Sequence, residues 1–286
     1  MTYNLFRLAL FLTYRCTAKC RHCFFDSGPE RKEVMNLKMG LRIIDEAVNL
    51  GAEWVSFTGG EPFLELKLLT EMLKYSSERG LKTEAVSNCY WANTSKEAEI
   101  KLKSLKRQGL DVLNISLDDF HQEYVPIDHV RTAYNVAKSL GLKIVIMTTT
   151  NKNSRITAKT VPNLLNDEKI QNLKGKKILR PNALIIESQA IPIGRGENLT
   201  DLEYSLITEV KCGDVLRDIG ISPIGDVYPC CGALASRLNI GNVNDQDLKS
   251  ILKSANEIKF LNAIRNGVSV SGAYTSKCHA CLSLLN

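Results

Sequence analysis

The most constraining feature of this chain is an alternation, between residues 5 and 186, of short apolar runs with amphipathic segments. Runs at 5–13, 54–57, 83–86, 112–116, 143–147 and 177–186 predict strands, and stretches at 36–50, 64–79, 95–108, 127–140 and 156–167 carry helical spacing. Gly51, Gly80, Gly109 and Gly141 follow four of these stretches, as helix-ending glycines do. Strands alternating with helices build βα units around a parallel sheet. Six units are fewer than the eight of a closed barrel. The expected fold is therefore α/β: a partial, open (β/α)6 TIM-like barrel over residues 1–200, then a smaller domain over 201–286. A Pro- and Gly-containing stretch at 191–199 reads as the connection. A hairpin around 221–228 and a helix near 245–264 are expected beyond it.

The chain has nine cysteines among 286 residues. Residues 8–13 form the longest apolar stretch near the start; it is strand length and is flanked by Arg7 and Arg15. That predicts neither a transmembrane helix nor a signal peptide, so no membrane partner and a cytoplasmic location. In that compartment thiols stay reduced, and an odd count also argues against complete pairing. Metal binding or catalysis is the better reading of the cysteines. The net charge is +6, with Lys and Arg scattered apart from small clusters at 101–107 and 174–177. No basic stripe is interleaved with aromatics, so no nucleic-acid partner is expected.

Cys16, Cys20 and Cys23 are spaced C-x3-C-x2-C directly after the first predicted strand. In a parallel barrel the loop after a strand lies on the C-terminal face, where active sites form. Three thiolates can hold one corner of an iron–sulfur cubane and leave the fourth iron open. A zinc knuckle completed by His22 is the alternative, but zinc ligands usually come as two separated pairs. One βα unit later stands Thr58-Gly59-Gly60-Glu61-Pro62, where a glycine pair lets backbone approach a ligand closely. Ser87-Asn88 ends the third strand and Ser116-Leu117-Asp118 the fourth; each polar group serves equally well as a helix cap.

The combination resembles the radical S-adenosylmethionine (SAM) superfamily: C-x3-C-x-aromatic-C, with His22 at the aromatic position, followed by GGEP. The resemblance covers about residues 5–195. It implies a [4Fe–4S] cluster on Cys16, Cys20 and Cys23 and a SAM site at Gly59, Gly60, Glu61 and Pro62, whose backbone and Glu hold the SAM amino group. Ser87, Asn88, Ser116 and Asp118 take the positions of ribose and carboxylate contacts. The implied reaction is one-electron cleavage of SAM to a 5′-deoxyadenosyl radical, which removes a hydrogen atom from substrate.

Cys212, Gly225, Cys230, Cys278 and Cys281 follow the order C-x12-G-x4-C…C-x2-C. This resembles the SPASM/twitch extension of radical SAM enzymes. With only five cysteines in this region, the match is to the shorter twitch form. Cys212, Cys230, Cys278 and Cys281 are then the ligands of one auxiliary [4Fe–4S] cluster; a four-cysteine zinc site is the alternative. Cys231 adjoins Cys230, and in an extended segment adjacent side chains point to opposite faces. Some radical SAM peptide epimerases use a thiol to return a hydrogen atom, and Cys231 is the candidate donor, with Cys89 in reserve. A small buried residue is the plain alternative for both.

The resemblance implies modification of a ribosomally made precursor peptide, specifically L-to-D epimerisation, with a reductant such as flavodoxin or ferredoxin as second partner. Thioether or carbon–carbon crosslinking is the main enzymatic rival, and a small-molecule substrate a third reading. A non-catalytic metal-binding or redox-sensing protein is the alternative of another class.

Overall fold

The computed structural model describes residues 5–172 and 182–285. The start of the sixth expected strand and the basic cluster at 174–177 lie outside the described residues. The barrel region contains strands β1 (Arg7–Thr13), β2 (Trp54–Gly59), β3 (Lys82–Ser87), β4 (Val112–Ser116), β5 (Lys143–Thr150), β6 (Gln171–Asn172) and β7 (Ala183–Gln189). Between them run helices α1 (Leu37–Asn49), α2 (Leu66–Glu78), α3 (Ser95–Arg107), α4 (Asp119–Gln122), α5 (Ile127–Ser139) and α6 (Val161–Leu164). The later region adds β8 (Ser205–Val210), β9 (Asp218–Ile221), β10 (Asp226–Tyr228), β11 (Gly241–Asn242), α7 (Leu248–Ala255), α8 (Lys259–Asn266), β12 (Val268–Tyr274) and α9 (Lys277–Ser283).

Local chemistry sets the ends of these elements. Asn36, Thr94 and Asp118 cap α1, α3 and α4 by accepting from the backbone N–H of Met39, Glu97 and His121. Gly51, Gly80, Gly109 and Gly141 take positive φ just beyond their helices, as the sequence implies. One expectation fails: the helix at 156–167 is reduced to α6, with Pro162 in its first turn. Pro162 has no N–H and can only open a helix, not continue one. The helix expected near 245–264 is two, α7 and α8, broken at 256–258.

Ten of the described strands form one sheet in the order β11-β10-β9-β1-β2-β3-β4-β5-β7-β6. From β9 to β6 all neighbours are parallel. The outer face carries Leu8, Leu10, Leu12, Val55, Phe57, Leu113, Ile115, Ile144, Ile146 and Ile185. These pack against Ile43, Ile44, Leu69, Leu73, Leu102 and Tyr134 of the helices in one core. Burying each such aliphatic side chain contributes roughly 1.5–3 kcal/mol relative to exposure. The alternate residues line the concave face. There Met147 and Ile186, paired in register, stay 39% and 40% exposed although apolar. The later region is built onto this sheet: β9 pairs with the free edge of β1, Arg7 opposite Asp218 and Leu10 opposite Ile221. β8 and β12 form a separate antiparallel ribbon.

Candidate active site

The loop after β1 carries Cys16 and Cys20, both buried, and the half-buried Cys23. Backbone bonds shape it: Cys16 N–H donates to Gly28 O (3.1 Å) and Cys23 N–H to Cys20 O (3.1 Å). Burial pushes the Cys16 thiol up to about 12, helped by the Glu61 carboxylate and by Cys23. Cys20 is pushed up by burial and by Cys16, Asp118 and Cys23. The three sulfurs thus share one electrostatic site, and crowded thiols of this kind ionise when a cationic centre arrives. That donor set fits an iron–sulfur cluster with an open corner.

The Gly59-Gly60 pair also has a packing role. A Cβ at Gly59 would lie 2.3 Å from Thr13 O, and one at Gly60 2.2 Å from Arg15 O. Gly60 N–H and Glu61 N–H donate to those same two carbonyls. The pair has no side chains because the ends of β1 and β2 press together there, which places GGEP against the cysteine loop. The Glu61 carboxylate is 1% exposed and accepts from Phe63 N–H (3.1 Å), Ser87 Oγ (3.0 Å) and Asn88 N–H (2.8 Å). It works as a strut between the ends of β2 and β3, and burial raises its carboxyl to about 7. Pro62 opens the short turn Pro62–Glu65.

Ser87 Oγ is likewise occupied, donating to Glu61 and accepting from Trp91 Nε1 and Cys89 N–H. Asn88 reaches the cysteine loop instead: its Nδ2 donates to Thr17 Oγ1 (3.0 Å) and to Cys16 Sγ (3.8 Å). Ser116 lies at the end of β4, opposite Met147 in register.

Asp118 caps α4, receives Thr149 N–H (3.2 Å) and holds His121 Nδ1 with both oxygens at 2.9 Å. Burial alone would raise its carboxyl; the charge and hydrogen bond of His121 outweigh that and hold it at about 2. Burial lowers His121, but Asp118 reverses the direction and raises it. His22 sits beside them, 4.7 Å from the Phe120 ring and 5.0 Å from the His121 ring. Its Nδ1 is buried without a protein partner, and burial lowers it to about 4. His121 is a member of the site that the sequence reading missed; its one signal is the spacing Asp118-x-x-His121.

The second cysteine set also comes together. Cys230 is pushed up to about 12 by burial, with Cys231 and Cys278 adding to the effect. Cys281 reaches about 12 through burial, Cys278 and Cys212. Cys278 is raised by burial and Cys212. Four thiols from β8's exit, β10's exit and α9 thus act on one another electrostatically, a donor set suited to a closed iron–sulfur site.

Cys231 follows Cys230 directly. It is solvent-accessible, yet its thiol is raised to about 11 by burial and by Asp218, with Arg7 opposing. Arg7 in turn bridges Glu84 (3.4 Å) and Asp218 (3.7 Å). Arg7, Glu84 and Asp218, the charged groups that act on Cys231, stand near the N-terminal ends of β1, β3 and β9, away from the cysteine loop. Cys89 is fully buried in the layer between sheet and helices, with φ +67, and its thiol donates to Ser87 O. The structure does not bring it to the concavity.

Comparison with known proteins agrees with this geometry. The Radical SAM superfamily signature matches residues 10–150, and an iron–sulfur cluster-binding (SPASM) domain matches 212–282. The chain carries a radical SAM domain. A SPASM domain follows it, and the cofactors are S-adenosyl-L-methionine and [4Fe–4S] clusters, one binding SAM and one auxiliary. The putative peptide biosynthesis protein YydG of Bacillus subtilis is 24% identical over 96% of this chain and 90% of its own length. A GTP 3′,8-cyclase of Clostridium botulinum is 25% identical over 91% of this chain and 85% of its own. Among solved structures, Streptococcus suis SuiB bound to precursor peptide SuiA shares the fold at 17% identity and TM-score 0.64, covering 92% of this chain and 67% of that one. BtrN in complex with AdoMet and 2-DOIA does so at 13% identity and TM-score 0.54, covering 93% and 87%. Among the described residues no helix is long and apolar enough to cross a membrane.

Proposed function

We propose that this radical SAM enzyme modifies a ribosomally made precursor peptide by inverting one residue from L to D, with Cys231 as hydrogen-atom donor. The observation that supports this reading is that the charged groups acting on the Cys231 thiol, Asp218, Arg7 and Glu84, belong to the end of the sheet opposite the cysteine loop. Arg7 and Thr13 bound β1, six steps of about 3.3 Å, so the two ends of the concavity lie roughly 20 Å apart. The cysteine triple leaves from the Thr13 end, and Cys231 is grouped with Arg7 at the other. A Cα held between them is open to attack on one face and to hydrogen return on the opposite face, which is what inversion requires. The peptide reading is supported by the names of two similar proteins: YydG as a putative peptide biosynthesis protein, and SuiB with its precursor peptide.

Cys16, Cys20 and Cys23 would hold the cluster, with SAM beside GGEP, and when bound they would supply the 5′-deoxyadenosyl radical that hydrogen abstraction from Cα needs. The residues of the chain do the rest. Met147 and Ile186 give an apolar wall for the peptide. Burial and Asp218 keep the Cys231 thiol protonated, so a whole hydrogen atom is available. Its S–H bond breaks as the new Cα–H bond forms, leaving a sulfur radical on Cys231. One electron from an external reductant such as flavodoxin or ferredoxin, and one proton from solvent, restore the thiol.

The test is Cys231→Ala in the anaerobically reconstituted enzyme, with SAM, reductant and the cognate peptide. SAM cleavage should persist while the D-residue disappears. Unchanged epimerisation would remove Cys231 from the role. Absence of SAM cleavage by the wild-type enzyme would favour a binding or sensing protein instead.

A further inference from the structure

Residues 191–199 read in the sequence as a connection, but they are built into the back of the cysteine loop. Arg195 N–H donates to Cys23 O (3.1 Å), its Nε to Cys20 O (2.9 Å) and its Nη2 to Ser27 O (2.8 Å). One residue thus grips the loop at three carbonyls. Gly194 adopts φ +55, and a Cβ there would lie 2.5 Å from Cys23 O and 2.7 Å from Phe24 O. Gly196 is as confined, with its Cβ position 2.3 Å from Ile191 O. Gly-Arg-Gly lays bare backbone on the loop and sends a guanidinium beneath it.

The charge of that guanidinium differs from others nearby. Lys19, Arg21 and Arg31 each face a carboxylate at 3.1, 2.6 and 2.6 Å, from Glu30, Glu123 and Glu33. The hydrogen-bond acceptors of Arg195 are neutral carbonyls, and Asp26 lies at the 4.0 Å margin and is well exposed. The Arg195 side chain is 24% exposed, so its positive charge is only partly screened.

We propose that Arg195 is the positioning residue of the cysteine loop and the cation that raises the reduction potential of the cluster bound there. Reduction adds one negative charge to the cluster, and a fixed cation close by stabilises the reduced form. The proposal rests on Cys16, Cys20 and Cys23 being the ligands, as assigned above.

The test follows the cluster whose electron paramagnetic resonance signal changes on adding SAM, titrated for midpoint potential in the wild type, Arg195→Gln and Arg195→Lys. Iron content is measured alongside. Arg195→Gln should lower both iron loading and midpoint. Arg195→Lys should keep the midpoint near wild type while losing some iron, because an ammonium keeps the charge without the three-way grip. A midpoint and iron content unchanged in Arg195→Gln would overturn the proposal. If Arg195→Gln holds too little iron to titrate, a fall in the Arg195→Lys midpoint would overturn the role of the charge, and a retained one would support it. A wild type with no SAM-responsive signal would refute the ligand assignment, and this proposal with it.

Discussion

The two cysteine sets differ in what holds them in place. The first lies within eight residues of a loop shaped by backbone bonds and braced from outside by the glycines of GGEP, by Asn88 and by Arg195. The second is gathered from positions 212 to 281 and exists only once β8, β10 and α9 have come together. The first is thus a local site, held in one loop at the end of β1. The second is a staple whose loss also loosens the region it joins.

The largest expected effect separates the two directly. Cys16→Ala should abolish SAM cleavage and remove about four irons per chain while leaving the melting temperature nearly unchanged. Cys281→Ala should lower the melting temperature by roughly 5 °C or more, because a metal staple contributes folding energy. Iron analysis, 5′-deoxyadenosine release and thermal melts check both. Equal melting temperatures in the two variants would break the contrast.

A second pair concerns the bracing. Gly60→Ala would drive a Cβ into Arg15 O, at 2.2 Å, and should destabilise by about 2–4 kcal/mol in denaturant titration. Gly213→Ala, in the later region with no atom within 4 Å of its Cβ position, should stay within about 0.5 kcal/mol of wild type.

A further, pH-dependent effect marks a part of the barrel remote from both sets. Asp167 accepts from Tyr134 Oη (2.7 Å), Lys169 N–H (3.0 Å) and the Lys138 ammonium. Burial would raise its carboxyl, but these donors outweigh it and hold it at about 2. A depressed carboxyl contributes stability above its unfolded value near 3.8 and loses it as pH falls towards 2. Asp167→Asn should therefore cost about 1 kcal/mol at pH 7, since Lys138 is half exposed. The difference from wild type should vanish as pH falls from about 4 to 2, with or without iron.

Much of this arrangement was legible in the sequence, for local reasons. The βα alternation rests on periodicity and helix-ending glycines, and the cysteine triple and GGEP are contiguous. What escaped was long-range or hidden in side-chain use. Arg195 grips carbonyls about 170 residues earlier, and its bonds leave no mark on the sequence around Cys20. The bracing of the ends of β2 and β3 by Glu61 and Ser87 is a side-chain use that their motif does not announce. The pairing of β9 with β1 depends on a free sheet edge that only the folded barrel offers.

The central claim is that hydrogen is removed at one end of the concavity and returned from Cys231 at the other. The most direct measurement is mass and chiral analysis of the peptide after turnover in deuterated water. A thiol exchanges with solvent, so the account predicts one deuterium at the Cα of a single D-residue, a gain of about one mass unit. A peptide lighter by two hydrogens, with every residue still L, would contradict it and indicate a crosslink.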